Sequence, residues 1–134
     1  MLFRSNFMNN ENNSVFLFEK LTLYQKSLDF IDSVYAVANT FPISEKYNLS
    51  DQLLRAATSV ALNIGEGAGG ASKEFLSFLR ISRRSIQECI VCTTIAHRRR
   101  YINSTTELQL RIKLIELAKM NSGLRQSIKR RINS

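Results

Sequence analysis

The chain has 134 residues, 44% of them apolar, with two cysteines, one proline and five glycines. That composition supports one core, excludes a disulfide scaffold, and offers no apolar run long enough to span a bilayer. The net charge is +8 but lopsided: residues 1–72 hold five Lys/Arg against seven Asp/Glu, net −2, and residues 73–134 hold fourteen against four, net +10. A strongly basic half favours an anionic partner, nucleic acid or an acidic protein; the plain alternative is a solvated face that keeps the protein soluble.

Residues 1–15 are expected to form a disordered tail, because Asn9-Asn10-Glu11-Asn12-Asn13-Ser14 is polar and aperiodic. Either Met1 or Met8 can serve as the start. Arg4 is followed by no continuous apolar stretch and no small-residue cleavage site, so no secretory signal is expected and the cytoplasm is the expected compartment.

Residues 16–134 are expected to form the folded domain. Helix one is predicted over residues 19–40, with Leu21, Tyr24, Leu28, Ile31, Tyr35 and Ala38 as its seam. Phe41-Pro42 ends it. Helix two is predicted over residues 51–68, N-capped by Ser50, with an alanine-rich stripe of Leu53, Ala57, Val60 or Ala61, and Ile64. Gly65, Gly67, Gly69 and Gly70 loosen and stop it. Helix three is predicted over residues 73–101 with Ser72 as N-cap and Phe75, Leu79, Ser82, Ile86, Cys89, Thr93 and Ala96 as its seam. Helix four opens on Ser104-Thr105-Thr106-Glu107, a capping-box spacing, and its seam is Leu110, Leu114, Leu117, Asn121, Leu124 and Ile128. Four amphipathic helices, short connections and no strand signal predict an all-α, antiparallel, up-down-up-down four-helix bundle.

Helices three and four carry more apolar residues than one seam needs. Ile81, Val91, Cys92 and Ile95 on the third, and Leu108, Ile112 and Ile115 on the fourth, form a second stripe. Exposed apolar stripes mark interfaces, which predicts a homo-oligomer; the competing reading is a wide core stripe.

Chemistry-bearing groups are sparse. Cys89-x-x-Cys92 has zinc spacing, but it sits mid-helix and the single following His97 leaves a ligand unfound, so neither a metal nor any other cofactor is expected. His97 has no partner nominated by spacing, and no enzyme activity is expected. Asn63-Ile64-Gly65-Glu66-Gly67 ends a helix rather than opening one after a strand, so it is no dinucleotide fingerprint. Asn63 and Glu66 are expected to bond across helices or cap the turn, with the glycines allowing close backbone approach.

The arginines are the strongest functional lead. Arg80, Arg84 and Arg98 project within roughly 40° of one another, opposite the helix-three seam. Arg83 lies further round. Arg98, Arg99 and Arg100 cluster at the helix end, and Lys129, Arg130 and Arg131 mark the chain end. A cationic stripe with two charged poles binds phosphates without reading sequence. Tyr101, beside the triple arginine, is a candidate for stacking on a base.

Several motifs together resemble the four-helix-bundle family of 23S rRNA intervening-sequence proteins. They are Phe18-Glu19-Lys20-Leu21, Tyr24-Gln25-Lys26-Ser27, Phe41-Pro42, and Glu45-Lys46-Tyr47-Asn48-Leu49-Ser50-Asp51-Gln52. The most specific block is Arg55-Ala56-Ala57-Thr58-Ser59-Val60 with Asn63-Ile64-Gly65-Glu66-Gly67, followed by Ser72-Lys73-Glu74-Phe75 and Phe78-Leu79. The resemblance implies a bacterial protein and a homo-oligomer, a pentamer in related members. Similar bundles act as accessory factors of diversity-generating retroelements and bind nucleic acid, RNA or DNA, and a reverse transcriptase. It implies no catalytic residues; Arg55, Asn63, Glu66 and Gly67 carry over as structural motif positions. The third helix here is more basic than the family pattern, which leaves open whether its arginines bind nucleic acid or pair with acids on a neighbouring subunit.

Overall fold

Apolar side chains at three- and four-residue spacing build four helices in the computed structural model, which describes residues 16–134. The tail expected over residues 1–15 lies outside the described residues. The helices are α1 (Thr22–Ala38), α2 (Leu49–Ala68), α3 (Ser72–Arg98) and α4 (Ser104–Asn133), with 3₁₀ turns at Leu17–Lys20 and Ile43–Glu45. Each helix packs on its sequence neighbours, and α1 closes onto α4. This is the antiparallel four-helix bundle that the sequence pattern predicts. The helices contain 17, 20, 27 and 30 residues, which makes them about 26–45 Å long. None is long and apolar enough to cross a membrane.

The helix starts differ from expectation. Ser50 lies inside α2, is buried, and follows Asn48 at the cap position, which makes no side-chain cap bond. Ser72 is already helical, preceded by an extended Ala71. The capping box at Ser104 does not form. Asn103 caps α4 instead, its Oδ1 accepting from the Thr106 N–H at 2.9 Å, and Glu107 turns to other partners. Serine and asparagine one position apart offer nearly equal caps, and the chain geometry chooses between them.

The seams of α2, α3 and α4 are those expected, with Phe75 and Leu124 only half-buried. The α1 seam is not. Its buried face is Leu23, Ser27, Phe30, Val34 and Ala38. Leu28 and Tyr35 are exposed, and Leu21, Tyr24 and Ile31 are half-buried at the edge. Ser27 is the reason. It is fully buried, with its hydroxyl donating to the Tyr24 carbonyl at 2.6 Å, so a polar residue interrupts the true core stripe.

The tightest seam joins α2 to α3. Ala56 and Ala57 on α2 and Ser82, Ser85 and Cys89 on α3 are buried, small side chains that let the backbones approach. Gly67 marks the limit: a Cβ there would lie 2.5 Å from the Phe78 Cβ. Polar atoms in the seam are paired, as burial requires. Ser82 Oγ donates to the Val60 carbonyl at 3.0 Å and Ser85 Oγ to Ser59 Oγ at 2.9 Å. Across the bundle, the fully buried Asn121 donates to the Leu79 carbonyl at 3.0 Å and accepts from Arg125 Nε at 2.9 Å. That pair fixes the register of α4 on α3.

Candidate nucleic-acid interface

The nine basic residues singled out from the sequence do not form one site. Arg80, Arg84 and Arg98 are exposed on the outer face of α3, opposite Leu79, Ser82, Ile86 and Cys89. They run along the helix for about 27 Å. Arg83 is half-buried. It projects within about 20° of Thr94, on the flank facing α4, where Arg111 Nη2 donates to Thr94 Oγ1 at 2.6 Å. Arg99 and Arg100 occupy the turn after α3. Lys129, Arg130 and Arg131 are exposed on the last turn of α4, at the opposite pole. Successive residues point about 100° apart, so those three form a charged end rather than a face.

Among the described residues, none of the nine pairs with a carboxylate. The ion pairs present are Lys26 with Glu116 at 3.6 Å, His97 with Glu107 at 3.3 Å, and Arg111 with Glu107 at 3.4 Å. The outer arginines therefore make no ion pair inside the subunit, and the one acidic residue on α3 between Arg80 and Arg98 is the exposed Glu88. They share the face with aliphatic residues: Val91, Ile95 and Ile81 are all exposed. Leu108, Ile112 and Ile115 form a parallel exposed ridge on α4. A wide core stripe thus does not account for these six. Cys92 does depart from the predicted second stripe, because it turns inward against α2 and is buried.

The turn after α3 is built rigidly. Arg100 N–H donates to the His97 carbonyl and Tyr101 N–H to the Ala96 carbonyl, each at 2.9 Å. This is the paired-bond helix stop in which glycine normally takes the left-handed position. Here Arg100 takes it, at φ 64°, a conformation that costs a side-chain-bearing residue roughly 1–2 kcal/mol. Tyr101 locks the turn from the far side. Its ring lies 5.6 Å from that of Phe41, and its hydroxyl donates to Glu45 Oε2 at 2.8 Å. Glu45 Oε1 also accepts from the Leu49 N–H at 3.3 Å and from Asn48 Nδ2 at 3.1 Å. The Tyr101 hydroxyl, then the Leu49 N–H, hold the Glu45 carboxyl below the usual carboxylate range. Tyr101 is therefore engaged on both ring and hydroxyl, and the expectation that it stacks on a base does not hold. The signal for its real partner was absent from the local sequence, since Glu45 lies on the other side of the bundle connection.

His97 sits between Ser104 Oγ, 3.2 Å from its Nε2, and Glu107 Oε1, 3.3 Å from its Nδ1. The order is that of a hydrolytic triad, but Glu107 is shared with Arg111. The group lies on an open turn and fastens α3 to α4. The two cysteines are buried, and burial pushes the Cys89 thiol up to about 12 and that of Cys92 to about 11. Thiols so far from ionising are inert as nucleophiles. Among the described residues no three His, Cys, Asp or Glu side chains gather around one point.

The motif residues separate into two roles. Asn63 bonds along its own helix, donating to the Ser59 carbonyl at 2.8 Å and to Ser59 Oγ at 3.0 Å, and Ser59 carries the link across to Ser85 on α3. Gly67 gives the close approach described above. Glu66 caps nothing described; it is exposed on the rim of an apolar groove of about 310 Å³ between α1 and α2, lined by Tyr24, Leu28, Ile31 and Leu62. Arg55 opens into a polar cleft of about 460 Å³ between α2 and α3, beside Tyr47, Asp51, Gln52 and Glu88. That cleft was not legible in the sequence, because its second wall is Glu88, far along the chain from the Tyr47–Arg55 wall.

A family profile described as 23S rRNA-intervening sequence protein matches residues 19–123. Among solved structures, the chain is similar to a crystallised protein of unknown function from the S23 ribosomal protein family of Bacteroides thetaiotaomicron VPI-5482. The two share 21% identity with a TM-score of 0.71, over 78% of this chain and 98% of that one. At that identity the likeness speaks for the fold. No curated protein matches the chain.

Proposed function

Given that the chain belongs to the 23S rRNA-intervening sequence protein family, we propose that it is a non-enzymatic, homo-oligomeric protein that binds the phosphates of RNA or DNA through the outer face of α3. The observation that carries this reading is the set of exposed guanidiniums at Arg80, Arg84 and Arg98, which make no ion pair among the described residues. Guanidinium forks match phosphate geometry, and a row of them binds backbone without reading bases. Reversing all three to Glu should abolish binding of a labelled duplex while leaving the helical circular dichroism and melting curve in place. Unchanged binding by the folded variant would refute the assignment.

Self-association is supported by two apolar faces of opposite electrostatic setting. The α1/α2 groove belongs to the net-negative half of the chain, and the Leu108, Ile112, Ile115 ridge to the net-positive half. Two different faces in contact make a head-to-tail interface, which forms a ring when the rotation between subunits closes. A ring of five is the assembly suggested by the family resemblance. Sedimentation of Leu28→Glu and of Ile112→Glu should show dissociation for each; a shift for neither would remove both faces from the interface.

The second reading is a scaffold that docks a protein, such as a reverse transcriptase, with charge serving solubility. Val91 and Ile95 among the arginines favour it, since phosphate binding has no use for them. A pull-down yielding one stoichiometric protein and no nucleic acid would support this alternative.

A further inference from the structure

We infer that the phosphates this face takes belong to a double helix rather than to a single strand. The inference rests on the nucleic-acid reading above and narrows it. Single strands are held by a cationic groove together with aromatic side chains on which bases stack. From Arg80 to Arg100 the sequence contains no Phe, Tyr or Trp. The next residue, Tyr101, has its ring against Phe41 and its hydroxyl on Glu45. Tyr47 is highly exposed, but it shares its cleft with two carboxylates, Asp51 and Glu88, against the one cation Arg55, and Lys46 already faces its ring at 5.4 Å. Between Arg80 and Arg100, α3 therefore offers unpaired bases no Phe, Tyr or Trp ring to stack on.

What it does offer suits a duplex. Every cation from Arg80 to Arg100 is arginine and none is lysine, so each carries the planar fork that grips phosphate oxygens. The guanidiniums stand on one continuous helix, spaced over about 27 Å. That length corresponds to about eight base pairs at a rise of about 3.4 Å. A rigid row of charges gains most from a rigid phosphate lattice, and duplex DNA keeps its direction over about 150 base pairs. A flexible strand must give up conformational freedom to follow the row. A duplex also presents about twice the axial charge density of one strand.

The test measures fluorescence anisotropy of the full-length protein with one labelled 16-nucleotide sequence, as single strand and as duplex, in DNA and in RNA, across a salt series. The expected result is duplex binding about tenfold tighter or more at fixed salt, with three to five phosphate contacts per protomer and a log–log slope of about −3 to −4.5. Shortening the duplex below about eight base pairs should weaken binding sharply. Arg84→Ala should flatten the slope by about one. The DNA and RNA arms decide which duplex is preferred, and preference for either supports the inference. Single strands bound as tightly as duplexes would overturn it and leave the nucleic-acid reading standing. Tyr47→Ala losing single-strand binding alone would overturn it likewise, by locating a stacking site. No binding of any probe at low salt would overturn both.

Discussion

Helix α3 has two faces that follow different rules. Toward α2 its residues are small, and their hydroxyls are paired across the seam, as Ser82 with Val60 and Ser85 with Ser59. Toward solvent it carries Arg80, Arg84 and Arg98 with no carboxylate partner among the described residues. The inner face has no spare volume and no spare charge, while the outer face has unspent charge. Stability and binding should therefore separate cleanly between residues as little as one helical turn apart.

The largest effect should come from the inner face. Gly67→Ala places a methyl 2.5 Å from the Phe78 Cβ and should destabilise by about 2–3 kcal/mol in urea denaturation, the range for overpacked cores. Gly69→Ala, two residues on, meets nothing within 4 Å and should cost nothing. Equal effects at the two positions would mean that the seam is not tight. Reversal of the three outer arginines should do the opposite: lose binding yet change stability by only about 0.5 kcal/mol per site, as surface substitutions do.

The Glu45 strut sharpens the comparison through pH. Its carboxyl is held low in the folded protein, chiefly by the Tyr101 hydroxyl. The stabilisation is then present above the unfolded glutamate value, about 4.3, and is lost as pH falls through the lowered folded value. Glu45→Gln should be less stable than the parent at neutral pH, with the gap narrowing as a melting series is taken to acid. A constant gap would mean that the Glu45 carboxyl titrates alike in the folded and the unfolded chain.

Two smaller effects test the poles and the last helix. Arg100→Gly relieves the left-handed residue at φ 64° and should stabilise by roughly 1 kcal/mol, while weakening duplex binding if the turn contributes phosphate contacts. A variant both more stable and poorer at binding would show charge retained against the fold's own preference. Gly123→Ala, inside α4 with nothing within 4 Å of the added methyl, should stabilise by about 0.5–1 kcal/mol. It touches neither face and should leave binding alone.

Much of the architecture was legible in the residue order. Leu110, Leu114, Leu117, Asn121 and Ile128 are the buried residues of α4 and stand at the expected spacing. The α1 stripe misled because Tyr24, Leu28, Ile31 and Tyr35 form a cleaner apolar series than Leu23, Ser27, Phe30 and Val34, yet the first three border a groove and Tyr35 is exposed. Periodicity counts apolar positions; it has no means of knowing which of two stripes meets the other helices. Of the candidate interface, the exposure of Arg80, Arg84 and Arg98 follows from their place opposite the seam. The partial burial of Arg83 does not, because it depends on where the neighbouring helices lie.

The sequence by itself determined four helices, their order, their antiparallel packing and the placing of basic charge in the second half, because these follow from local spacing, breakers and composition. Only the tertiary structure decided that Tyr101 is held by Glu45, that Arg100 stops a helix in the left-handed conformation, and that the basic residues divide between one face and two poles. Those outcomes depend on contacts between residues far apart in the chain, and such contacts leave no period in the sequence to read.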